Sequence, residues 1–200
     1  MEKLLFVHGL ASSGAYKLAN ILRILLKPAR LLSPDLPIDP DQALSQLRHL
    51  IETEQPDLVV GLSWGGFLVQ QLRGQRRVVI NPDFAISGML ETLVGEVKYL
   101  SPRQDGATSF TITPALCARY KELEASQFDG ISKAEEALIL GFFADHDQVV
   151  RHRAIFEKAY PGRSVSYPGT HLPTFPEVKA SIAPEILRSC LNFNRIFCYT

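Results

Sequence analysis

Short, unbroken apolar runs alternate along this chain with longer stretches whose apolar residues recur at helical spacing. Leu4 to Val7 is the first such run, stopped by His8-Gly9. Ala29 to Leu32, Leu58 to Val60, Val78 to Ile80, Ala137 to Phe143 and Ser164 to Tyr167 follow, each closed by a cluster of turn-forming residues. Runs of this length, continuously apolar rather than alternating, predict strands covered on both faces. Between them, Gly14 to Lys27 sets Leu18, Ile21, Leu22 and Leu25 on one helical face and ends at Pro28. Pro40 to Glu54 does the same with Ala43, Leu44, Leu47, Leu50 and Ile51, and Asp39-Pro40 supplies a cap and a first helical residue. Further helices are predicted from Gly66 to about Arg73, over Val149 to Tyr160, and from Pro176 to about Leu191.

This alternation of strand and helix predicts an α/β fold, a three-layer αβα sandwich with a mostly parallel sheet of about six strands. Residues 83–134 break the rhythm. They show no clear strand and several helical stretches, among them Pro114 to Ala125. A segment of roughly 50 residues seldom builds its own core, so the expectation is one domain over residues 1–200, with 83–134 a helical, cap-like insertion packed on the sheet.

Composition narrows the classes. Hydrophobic residues make up 46% and charged residues 21%, which excludes a disordered or fibrous chain. Twenty-one basic residues balance 21 acidic ones, so no global field recruits nucleic acid or an anionic membrane. Charge balance also permits either a monomer or a homodimer. The apolar run after Met1-Glu2-Lys3 is too short for a secretory leader, and no run of about 18 apolar residues could span a membrane. Cys117, Cys190 and Cys198 form no CxxC pair, which fits a reducing, cytoplasmic setting.

Candidate chemistry sits where strands end. Gly61-Leu62-Ser63-Trp64-Gly65 fits G-x-S-x-G between a predicted strand and a predicted helix. In that context the sharp turn exposes the serine hydroxyl, and its flanking glycines avoid clashes. A glycine-rich turn whose serine merely caps the next helix is the plain alternative. A serine nucleophile needs a base, and the base needs an orienting carboxylate; the expected chain order is Ser, acid, His. His171 follows the last predicted strand. The loop after the preceding strand offers Asp145 and Asp147; Asp147 is preferred because it leads directly into Gln148-Val149-Val150, and Asp145 remains the alternative. Asp145, His146, Asp147 and His152 could also be read as metal ligands, although zinc-type spacing is absent. The amides of Leu10, after the first strand, and of Trp64 are the candidate oxyanion donors, with His8 bracing the Leu10 loop.

On Phe6-Val7-His8-Gly9-Leu10-Ala11-Ser12-Ser13, Gly61-Leu62-Ser63-Trp64-Gly65-Gly66, Val79-Ile80-Asn81-Pro82, Asp147-Gln148-Val149-Val150 and Gly169-Thr170-His171, the chain resembles the YqiA-type esterases (UPF0227 family) of the α/β-hydrolase superfamily. That resemblance implies an α/β-hydrolase fold, a catalytic triad of Ser63, Asp147 and His171, and no metal or organic cofactor. It implies a small-molecule ester substrate with a short acyl chain; a thioesterase with the same triad, or a hydrolase fold kept as a binding module, are the alternatives. Trp64 stands where such esterases often carry a smaller residue, so a narrower pocket mouth is expected.

Overall fold

The computed structural model describes residues 1–188. Six strands form one sheet: β1 (Lys3–Val7), β2 (Arg30–Leu32), β3 (Leu58–Leu62), β4 (Arg77–Ile80), β7 (Ile139–Ala144) and β8 (Ser164–Tyr167), in the order β2-β1-β3-β4-β7-β8. Every pairing in it is parallel. Side chains alternate across the pleat, and both sets are buried. Leu5, Val7, Val59 and Val79 face one core, while Leu4, Phe6, Val60, Val78 and Ile80 face the other. This is why the strands read as continuous apolar runs.

Helices fill both layers. α2 (Pro40–Glu54), α3 (Trp64–Gln70) and α7 (Arg153–Ala159) cover the first face. α1 (Lys17–Leu25) and the last helix cover the second. That last helix runs as α8 (Phe175–Glu177), a π-helical stretch Val178–Ile182 and helical residues 183–188. The predicted continuation to Leu191, together with Cys190 and Cys198, lies outside the described residues. Asp39 caps α2 as expected, its carboxylate accepting the Gln42 amide at 2.9 Å with Pro40 at the first helical position. Cys117 is a buried, free thiol.

The segment between β4 and β7 corrects the sequence expectation. It contains α4 (Ile86–Thr92), α5 (Pro114–Ser126) and α6 (Lys133–Ala137), but also an antiparallel pair, β5 (Gly95–Lys98) with β6 (Ser109–Ile112). These strands are half-exposed and mix polar with apolar residues, so they carry no apolar run to announce them. The Leu100 amide, just past β5, donates to the Ala11 carbonyl at 2.7 Å. Arg103 reaches the Leu36 carbonyl at 3.1 Å. The hairpin is thereby pinned beside the loop that follows β1.

Two predicted helix starts are also displaced. α1 begins at Lys17 rather than Gly14 because the Gly14 amide is held by Asp35 (2.7 Å) and its carbonyl by the Ser33 hydroxyl (2.7 Å). α7 begins at Arg153 rather than Val149, for a reason that belongs to the site.

Candidate active site

β3 is central in the sheet, and the chain turns sharply at its end. Ser63 takes φ 54°, ψ −117°, a left-handed backbone that side chains rarely adopt, and α3 starts at the next residue. The conformation is held from three sides. The Ser63 amide donates to the Ile80 carbonyl (2.9 Å), and the Ser63 carbonyl accepts the amides of Phe67 (3.1 Å) and Asp83 (3.2 Å). The flanking glycines are required by contact: a Cβ on Gly61 would lie 2.4 Å from the Gly65 carbonyl oxygen, and one on Gly65 2.3 Å from that of Val7.

Two other loops reach this turn. His171, after β8, brings Nε2 to 3.0 Å from the Ser63 hydroxyl. Its Nδ1 lies 2.8 Å from Asp147 Oδ2. Asp147, after β7, is only 4% exposed. Its other oxygen accepts the amides of Val149 (2.8 Å) and Val150 (2.9 Å). Those bonds hold residues 147–150 in a turn, which delays the start of α7. With both carboxylate oxygens engaged as acceptors, the Asp147 contact favours a proton on Nδ1. Nε2 is then free to accept from the serine hydroxyl.

Asp145 is exposed and does not reach His171; its amide bonds the Tyr167 carbonyl at 2.9 Å. His146 is exposed as well. His152 turns elsewhere, accepting the Phe84 amide on Nδ1 at 3.0 Å. Among the described residues, no three His, Cys, Asp or Glu side chains gather as a metal-binding group.

The loop after β1 lies against the serine: a Cβ on Gly9 would sit 3.7 Å from that of Ser63. His8 is buried and accepts the Leu36 amide on Nε2 (3.2 Å) while Nδ1 donates to the Gly9 carbonyl (2.9 Å). Burial pushes its pKa down, which suits the neutral tautomer this bonding needs. Leu10 lines the cavity in front of Ser63. The Trp64 side chain overturns the expectation of a narrowed mouth. Its indole is buried in the core under α5, where Nε1 donates to the Tyr120 hydroxyl at 2.7 Å, and it forms no part of that cavity wall.

Two residues that sequence reasoning passed over stand beside these groups. Asn81, at φ 44° just past β4, is buried. Its amide nitrogen donates to the Tyr167 hydroxyl (2.8 Å), the His171 carbonyl (2.9 Å) and the Thr170 carbonyl (3.2 Å), while its oxygen accepts the Ala144 amide (2.8 Å). One side chain thus ties the ends of β4, β7 and β8 together. Asp83 is buried with its Oδ1 3.5 Å from His152 Nδ1, and burial raises its carboxyl pKa above the ordinary aspartate value. Asn81 entered only within the Val79-Ile80-Asn81-Pro82 motif, with no role for its side chain, and Asp83 carried no signal at all.

The cavity in front of Ser63 and His171 encloses about 360 Å³. Its wall combines the Gly9–Ser12 loop, Tyr16 and Leu62 with Met89, Leu93, Val97, Lys98 and Leu100 from the segment after β4, and with Val149 and Leu172.

The sequence model of the alpha/beta hydrolase family matches residues 4–187. Among solved structures, the chain is similar to Est1E from Butyrivibrio proteoclasticus, solved with ferulic acid bound, at 14% identity and TM-score 0.72 over 94% of this chain and 89% of that one. It is similar to a monoacylglycerol lipase from Paleococcus ferrophilus at 14% identity and TM-score 0.66, over 95% and 94%. An esterase domain of a Rhodothermus marinus protein aligns at 20% identity and TM-score 0.61, over 93% and 84%. At these identities the likeness is one of fold. No curated protein is similar enough in sequence to match.

Proposed function

Because this chain belongs to the alpha/beta hydrolase family, we propose that it is a serine esterase that cleaves small acyl esters, with Ser63 as nucleophile, His171 as base and Asp147 as the acid that orients it. Within the family we assign it to the YqiA-type esterases, on the motifs around Ser63, Asn81, Asp147 and His171. The observation that carries the reading is the unbroken hydrogen-bond line from the Ser63 hydroxyl through His171 to Asp147, at 3.0 and 2.8 Å, opening on an apolar cavity.

The chemistry follows from that line. His171 Nε2 takes the hydroxyl proton as Ser63 Oγ attacks the ester carbonyl carbon, and the buried Asp147 carboxylate stabilises the imidazolium that forms. The Leu10 and Trp64 amides, neither of which has a protein acceptor among the described residues, bind the oxyanion; donors of this kind contribute about 3–4 kcal/mol each. The imidazolium then protonates the leaving alcohol. Water, deprotonated by His171, attacks the acyl-enzyme; the acid is released and the Ser63 hydroxyl is restored. Residues 83–134 act as the cap, since they furnish much of the wall facing the serine.

The test is a fluorophosphonate probe together with turnover of p-nitrophenyl butyrate. The probe should label Ser63, Ser63→Ala should abolish both labelling and turnover, and Asp147→Asn should lower kcat about 10⁴-fold. A Ser63→Ala enzyme that still turns over would defeat the proposal.

A further inference from the structure

The wall of the cavity is hydrocarbon almost throughout, with Leu10, Leu62, Met89 and Val97 among its lining side chains. Its mouth is apolar too. Leu93, Leu100, Val149 and Leu172 arrive from three separate segments, all line the cavity, and all are exposed, Leu100 to 83%. Large apolar side chains gathered in water around one opening mark a contact surface rather than scattered exposure.

We propose that Leu93 and Leu100 are specificity-determining residues for a medium-length, unbranched acyl chain, one that fills the cavity and continues outward along these two side chains. The proposal rests on the esterase reading and gives that site its substrate class. The acyl group is the part of the substrate to which the apolar wall belongs. It stays bonded to Ser63 after the alcohol has left and while water enters, so it needs a surface that holds it without hydrogen bonds. The cavity's 360 Å³ accommodates about a dozen non-hydrogen atoms at roughly 30 Å³ each. That is room for an acyl group of about eight carbons beside the reacting ester. Lys98, itself exposed, is the one lysine, arginine or carboxylate side chain lining the cavity among the described residues.

The experiment is a chain-length series of p-nitrophenyl esters, from acetate through butyrate and hexanoate to octanoate, with one leaving group throughout. In the wild-type protein kcat/KM should rise by up to about fourfold per added methylene, the selectivity that burying one CH₂ confers. In the Leu93→Asn/Leu100→Asn double variant the octanoate-to-acetate ratio should fall about tenfold. Leu100→Asn alone, at a position almost fully in water, provides a variant whose folding is not in question, and it should lower the ratio in the same direction. A flat length profile, or a ratio that neither variant changes, would overturn the proposal while acetate turnover left the esterase reading standing. No hydrolysis at any length would overturn both.

Discussion

Asn81 is the residue whose removal should be felt furthest. Its side chain satisfies the Ala144 amide and binds the Tyr167 hydroxyl and the Thr170 and His171 carbonyls, so its loss disturbs three strand ends at once. The amide's two protons and its oxygen make three net hydrogen bonds at about 1 kcal/mol each, which puts Asn81→Gly about 3 kcal/mol below wild type. For a chain of this size that corresponds to a fall in Tm of about 6–12 °C. Glycine is the right probe because the backbone sits at φ 44°. Alanine should cost about 1 kcal/mol more through the left-handed conformation alone. Activity should suffer separately: the His171 carbonyl hangs on this amide, and a displacement of about 1 Å at the proposed base should cost on the order of 10²-fold. Asn81→Asp keeps the shape and the Ala144 acceptor but turns a carboxylate toward two carbonyl oxygens, so it should not restore turnover. Urea unfolding with matched m-values, alongside kcat/KM on p-nitrophenyl butyrate, measures both effects. Asn81→Gly within about 0.5 kcal/mol of wild type and with kcat/KM intact would refute the role given to this side chain.

Asp83→Asn should stabilise the protein at neutral pH. The native pKa of Asp83 is raised by burial, so between the unfolded value and the native one the folded state binds more protons, and stability falls as pH rises through that window. The gain should be present at pH 7 and vanish near pH 3, read from urea midpoints at the two pH values. Tyr120→Phe removes a hydroxyl that accepts from Trp64 Nε1 and donates to the Ile38 carbonyl at 2.7 Å. It should cost about 1–3 kcal/mol by thermal unfolding, with kcat/KM on p-nitrophenyl butyrate within about twofold of wild type.

What the sequence disclosed was whatever burial writes into it. The four inner strands of the main sheet, β1, β3, β4 and β7, are buried on both faces, and Ser63, Asp147 and His171 stand after three different strands, in chain order. What stayed hidden was held by side chain to backbone bonds or by exposed pairing. The β5–β6 hairpin has one face in water and a ten-residue connection between its strands (99–108). The helix starts at Gly14 and Val149 were misplaced because Asp35, Ser33 and Asp147 capture the backbone groups that a helix would otherwise use. Trp64 is expected at the pocket mouth, and the true direction of its ring is not legible locally because it depends on Tyr120 more than 50 residues away.

Backbone strain adds what periodicity could not. Among the described residues, the non-glycine positions at positive φ are Ala11, Gln55, Ser63 and Asn81. Gln55 ends α2, an ordinary place for such a residue. The other three lie past the ends of β1, β3 and β4, which are consecutive neighbours in the sheet. Each turns the chain aside at the same rim, and the cavity with Ser63 and His171 opens there. Such conformations cost of order 1–3 kcal/mol apiece and persist only where surrounding bonds over-determine them. Around Ser63 and Asn81 those bonds come from the next strand over: the Ser63 amide binds the Ile80 carbonyl of β4, the Asn81 amide binds the Phe142 carbonyl of β7, and the Asn81 side chain holds the loop that carries His171. The strain at the serine and the position of the imidazole are therefore one coupled property of adjacent strand ends, which no single motif in the sequence could express.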